Sequence, residues 1–165
     1  MKRIDEPYAA DERTMLNAWL DWHRATVFLK CEGLSDELAH RPLIPSSPLM
    51  TVAGLVSHLR WVEQSWFEYD ILGGPDLAPW TKEDPDKEFK VSGVPLAQLL
   101  EEYERQCARS TEIAASLDLD AESAIESKRG RVTLRWLLLH MIEETARHNG
   151  HLDLLREMLD GTTGD

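Results

Sequence analysis

The segment VTLRWLLLHMIEETARHNGHLDLLREML, residues 132–159, is the longest uninterrupted helical pattern in the chain and carries three of its six histidines. From Leu134, apolar positions recur at alternating steps of four and three through Leu138, Met141, Thr145, Leu152, Leu155 and Leu159. This is the repeat of a helix buried along one stripe. His148 falls inside the stripe, and on the same face a second line runs Leu137, Met141, Glu144, His148, His151, Leu155. A carboxylate and two imidazoles therefore stand where leucines would be expected. At about 100° per residue, His140, Glu144, His148 and His151 cover an arc of only about 80° and face the interior together.

An unpaired buried carboxylate is costly and is rarely found without a partner or a metal. Taken singly, each residue has a simpler account: Glu144 pairs with an arginine at the rim, and the histidines are core residues bonded to backbone. Taken as a set they suit a metal, because a Glu and a His four apart stand on neighbouring turns and can reach one divalent ion. The set lacks a third ligand from another helix.

The remaining chain supplies it. Residues 10–31 read as a first helix, with Leu16, Leu20, His23 and Val27 inward, Asp11 as cap and Gly33 past its end. His23 is a reserve candidate for the site, better explained as a hydrogen-bonded core residue. A short turn at 35–41 leads to Pro42, Pro45 and Pro48, which enforce an extended connection; His40 lies there and reads as exposed. Thr51 caps a second long helix over 52–72, with Val52, Leu55, Leu59, Val62 and Trp66 inward. His58 sits on the edge of that face and is the missing ligand. Residues 79–94 form a polar connector containing KEDPDKE, whose charges read as a solvated surface, with Trp80 and Phe89 tacking it to the body. A third helix over 95–117 places Leu96, Leu100, Tyr103, Cys107, Ser110, Ala114 and Leu117 inward, and a polar connector at 118–131, with RGR as a turn or short hairpin, leads to the last helix, which Gly161 ends. Four long amphipathic helices with long connections predict an all-α four-helix bundle, in which metal sites are built from facing helices.

At 165 residues and 42% hydrophobic, the chain suits one domain over 1–165. No apolar run approaches the roughly 20 residues of a membrane span, and MKRIDEPYAADERT has no apolar signal core, so a soluble, cytoplasmic protein is expected. The net charge of −12 argues against nucleic acid, which needs a basic stripe. Its two cysteines, Cys31 and Cys107, have no CxxC or Cys/His spacing and read as reduced, packed thiols.

The phrase GLVSHLRWVEQSWF around His58, coupled to LRWLLLHMIEETARHNGHLDLLRE, resembles the DinB-like superfamily of four-helix metal-binding proteins, and within it the DUF664 branch, related to mycothiol-dependent maleylpyruvate isomerase and bacillithiol-transferase-type proteins. The resemblance runs from DERTMLNAWL to the end of the last helix. The common DinB pattern has one histidine on the second helix and two, four apart, on the fourth; here Glu144 replaces the first of those two. That resembles the His/Glu/His set of the mycothiol-dependent isomerase branch and implies His58, Glu144 and His148 as metal ligands. His151 takes the place of a polar residue that follows the last ligand in many relatives, as a fourth ligand, a group behind the ligands or a proton carrier. The resemblance also implies a helix order unlike a simple up-down bundle, and a homodimer.

A two-His, one-carboxylate set leaves coordination positions open, as catalysis requires. Zinc is the ion expected, with nickel, iron and manganese as alternatives. As an enzyme, the chain is expected to be a metal-dependent thiol S-transferase or isomerase acting on a small molecule with a thiol such as mycothiol or bacillithiol. His151 is then the catalytic base or orienting group, with His140 as the other candidate. The alternative is a non-catalytic metal-binding stress or interaction protein. A di-iron site is disfavoured, since Arg147 stands where its ExxH signature needs histidine.

Overall fold

The computed structural model describes residues 1–164, and among them it is all-α, with no strand. Its helices are α1 (Glu12–Cys31), the single turn α2 (Asp36–Ala39), α3 (Val52–Gln64), α4 (Leu96–Ala115) and α5 (Leu134–Asp160). The caps follow from side-chain chemistry. The Asp11 carboxylate accepts from Thr14 N–H, Thr51 Oγ1 from Gly54 N–H, and Thr133 Oγ1 from Trp136 N–H, each satisfying an orphan donor of a first turn. Gly161 ends α5 at φ +78°, a left-handed position that glycine adopts without strain.

The second long helix departs from the simple periodic reading. After Gln64 it widens into π-helical turns over Ser65–Ile71. A π turn inserts an extra residue, so the buried stripe steps from Val62 by five to Phe67, and Trp66 is left half-buried. Trp66 meets Trp136 of α5 instead, with ring centroids 5.5 Å apart.

Packing pairs α1 with α5 and α3 with α4, while α3 also meets α5. Arg13 of α1 donates to the carbonyls of Ala114 and Leu117 at the end of α4, and Phe28 of α1 stacks on Tyr103 of α4. Thus α1 lies beside α5 and α4, and α3 beside α4 and α5, so the helices do not run around the bundle in chain order. The apolar interior falls into two clusters. One gathers Val27, Leu55, Leu59, Leu99, Tyr103 and Leu152; the other gathers Leu20, Phe67, Ile113, Leu134, Leu138 and Met141. Arg24, Glu63, Ser110, Thr145 and Asn149 are buried polar residues of the same helices. Arg24 is buried where the periodic reading turned His23 inward, and it forks onto Glu63 with both N···O distances at 2.7 Å.

The connectors are tied to the body by particular groups. Asp36 accepts from Leu96 N–H at 2.8 Å, and His40 Nε2 lies 2.8 Å from the Val94 carbonyl, so His40 is a half-buried tie and not an exposed bystander. The 118–131 connector closes with bridges between Glu122 and Thr133 and between Ser127 and Gly130. In the 79–94 connector, Phe89 packs against the core as expected, but the acidic run is not wholly solvated: Glu88 is only 6% exposed, in a 3-10 turn over Lys87–Phe89. Among the described residues no helix is long and apolar enough to cross a membrane.

Candidate metal centre

His58 is placed by its neighbours on α3: Leu55 and Val62 are buried on either side of it along the helix, which holds the imidazole at the edge of the α3–α5 seam. On α5, buried Met141, Thr145 and Leu152 fix the facing stripe, and Glu144 and His148 stand one turn apart beside it. The two helices bring the three side chains together. His58 Nε2 and His148 Nε2 each lie 3.2 Å from the same oxygen, Glu144 Oε1, and one donor atom from each residue falls within 4.8 Å of the others. All three are mostly covered, at 16%, 17% and 13% exposure for His58, Glu144 and His148.

The donor set fits a divalent ion. Ligands at about 2.0–2.1 Å around a tetrahedral ion are about 3.3 Å from one another, close to the two observed 3.2 Å separations. Partnership with His148, and then with His58, holds the Glu144 carboxyl well below the usual carboxylate range, against the opposing effect of burial. The carboxylate form that a ligand requires is the favoured one.

Two groups stand behind the imidazoles. Glu88 Oε1 lies 3.3 Å from His58 Nδ1, and the Phe89 ring stacks on the His58 ring with centroids 4.6 Å apart. His151 Nδ1 lies 3.3 Å from His148 Nδ1, the nitrogen turned away from Glu144, so His151 stands behind a ligand and outside the three-residue cluster. Burial, and then the neighbouring His148 and Arg147, lower the His151 pKa, leaving its imidazole neutral near pH 7. Of the other histidines singled out by sequence, His140 is held between Trp136 and Trp66, with ring centroids at 5.1 and 5.0 Å, and His23 packs against Trp19 and Trp22. Neither joins the cluster. Sequence reasoning missed Glu88; the signal was its place beside Phe89, the residue already expected to anchor the connector.

A cavity of about 330 Å³ opens against His148, lined by Leu49, Met50, Leu55, Asp86 and Phe89 among others. Its walls are mainly apolar with a few polar groups at hand, the usual make-up of a small-molecule site. No curated protein matches the chain. The sequence profile of the mycothiol-S-transferase family matches residues 15–161, from the first turns of α1 to the glycine that ends α5. The motif that resembles the DinB-like DUF664 branch lies wholly inside that match, and the chain belongs to the mycothiol-S-transferase family.

Proposed function

We propose that the protein is a divalent-metal-dependent thiol S-transferase that joins a low-molecular-weight thiol of the mycothiol class to a small electrophile. His58, Glu144 and His148 are its metal ligands and His151 its base. The observation that carries this reading is the convergence of donor atoms from two helices within 4.8 Å. Two imidazoles and one carboxylate suit zinc first and also nickel, iron or manganese. When bound, such an ion supplies Lewis acidity, which brings the pKa of a thiol or a water on it toward neutrality.

The chain's own residues do the rest. Burial pushes the Cys31 thiol up to about 12 and raises that of Cys107 as well, so neither is a nucleophile and the reacting sulfur arrives with the thiol substrate. The mainly apolar cavity against His148 holds the electrophile beside the cluster. His151, kept neutral, accepts the thiol proton as the sulfur–carbon bond forms and the leaving group departs. A transfer site needs such an open cavity, whereas a metal store does not, which favours catalysis over sequestration. A homodimer belongs to the same reading, with the exposed Leu139, Leu154 and Met158 of α5 as apolar surface for it.

Elemental analysis of protein purified without a histidine tag tests the site. One divalent ion per chain is expected, lost in His148→Ala; an unchanged metal content in that variant would remove the assignment. Turnover is tested separately with mycothiol, bacillithiol and an electrophilic acceptor, and no consumption by metal-loaded protein would overturn the transferase reading while leaving the metal site intact.

A further inference from the structure

We infer that Glu88, delivered by the connector between α3 and α4, is a positioning residue for the metal centre: it fixes the proton of His58 on Nδ1 and supplies the second negative charge that balances a divalent ion. The inference rests on the metal reading above and deepens it.

Three contacts seat the turn over Lys87–Phe89 against α3. The Glu88 carbonyl accepts from Ser57 Oγ at 2.7 Å, the Glu88 carboxylate faces His58 Nδ1, and the Phe89 ring covers the His58 ring. The turn can come this close because Gly54 carries no side chain; a Cβ there would lie 3.3 Å from the Phe89 carbonyl oxygen and 2.7 Å from that of Leu49. A carboxylate accepts and does not donate, so Glu88 holds a proton on Nδ1 of His58 and leaves Nε2 to face Glu144 Oε1, 3.2 Å away. A proton or a metal ion bridges that gap, and it is Nε2 that a metal ion takes. Glu88 cannot share that cation, because it holds the opposite nitrogen of the ring and lies outside the three-residue cluster.

Charge gives the same answer independently. Glu88 Oε2 is buried without a hydrogen-bond partner, and Glu144, 17% exposed, lies between imidazoles. Two mostly covered carboxylates flanking one ring are costly without positive charge beside them. With a divalent ion at His58 Nε2 their charges sum to zero. Carboxylates behind metal-bound histidines act in this way generally, and their loss weakens metal binding about 10–100-fold.

The test compares the full-length wild type with Glu88→Gln, Glu88→Ala and His148→Ala in two measurements. In the first, zinc affinity is read by competition with a chromophoric chelator. Glu88→Gln keeps an acceptor for Nδ1 but removes the charge, and is expected to bind zinc about tenfold more weakly or worse with the melting temperature of the metal-free protein unchanged; Glu88→Ala is expected to be weaker still. In the second, nitrogen NMR of the histidine rings in metal-free protein reads the tautomer of His58. Nδ1–H is expected in the wild type and in Glu88→Gln, and its loss in Glu88→Ala. Wild-type zinc affinity in both Glu88 variants, while His148→Ala loses the ion, would overturn the positioning role. Unchanged affinity in His148→Ala as well would overturn the three-ligand site instead, and the tautomer measurement, made without metal, still decides whether Glu88 sets the His58 proton.

Discussion

Glu63 of α3 and Glu144 of α5 are both glutamates turned into the same bundle, and they are held in opposite ways. Glu63 is fully buried and meets a guanidinium that grips both of its oxygens at 2.7 Å, while the third corner of Arg24 is taken by Asp21 and Thr111. Burial disfavours the Arg24 charge, yet Glu63 outweighs it and the arginine stays firmly protonated. Each guanidinium nitrogen of Arg24 thus has a partner within the chain. Glu144 instead presents one oxygen to two imidazole nitrogens at a looser 3.2 Å, and one of those imidazoles, His148, lines a cavity. A carboxylate turned into the bundle is thus either closed by a cation of the chain or, on the function proposed above, kept for one from outside it. The partner decides which, not the burial.

The comparison can be broken by experiment. The largest effect is expected from Glu63→Ala, which strands a buried arginine and should cost about 3–5 kcal/mol in urea denaturation; Glu144→Ala, measured in the absence of metal, should cost far less. Equal losses at the two sites would erase the distinction. Next in size is the metal itself. With free ion at about 1,000 times Kd the loaded wild type should gain about 4 kcal/mol, seen as a higher Tm that a chelator abolishes. Glu144→Ala should show no such gain and Glu63→Ala should keep it.

Acidification sharpens the contrast further. Because the pKa of Glu144 is depressed in the folded state, its contribution is present above the ordinary carboxylate range and is lost only as the pH falls through the depressed value. Carbon NMR of the Glu144 side-chain carboxyl in metal-free protein should therefore show it ionised throughout the range in which ordinary glutamates titrate. A midpoint at the ordinary value would show that the imidazoles do not hold it. The smallest effect is expected from Arg147→Ala, which removes an exposed ion pair with Glu143, one residue from Glu144. It should change stability by about 0.5 kcal/mol or less and leave metal content at the wild-type level, showing that orientation and not acidity near α5 makes the site.

The same contrast explains what was legible in the amino-acid order. His58, Glu144 and His148 could be found because each interrupts or borders an apolar stripe, and helical periodicity converts that into a direction in space. The caps at Asp11 and Thr51 and the stop at Gly161 were legible because they depend on neighbours within one turn. Arg24 was not, since it stands beside His23 at the margin of its stripe and its inward turn depends on Glu63, 39 residues away in the chain. Glu88 was hidden for the complementary reason: it closes an acidic run whose other members face solvent, and only the fold-back of the connector onto Ser57 and His58 buries it. The shift from Trp66 to Phe67 could not be read either, because a π turn changes the period that the reading assumes.

Both cysteines are buried, and burial raises the pKa of each. A thiol transferase of the kind proposed would work among reactive carbon compounds and risk being alkylated by them, and its most vulnerable atoms would be its thiolates. Sealed and protonated, Cys31 and Cys107 give those reagents no foothold, so the native protein should outlast many rounds of contact with its own substrates and become open to self-inactivation only when it unfolds.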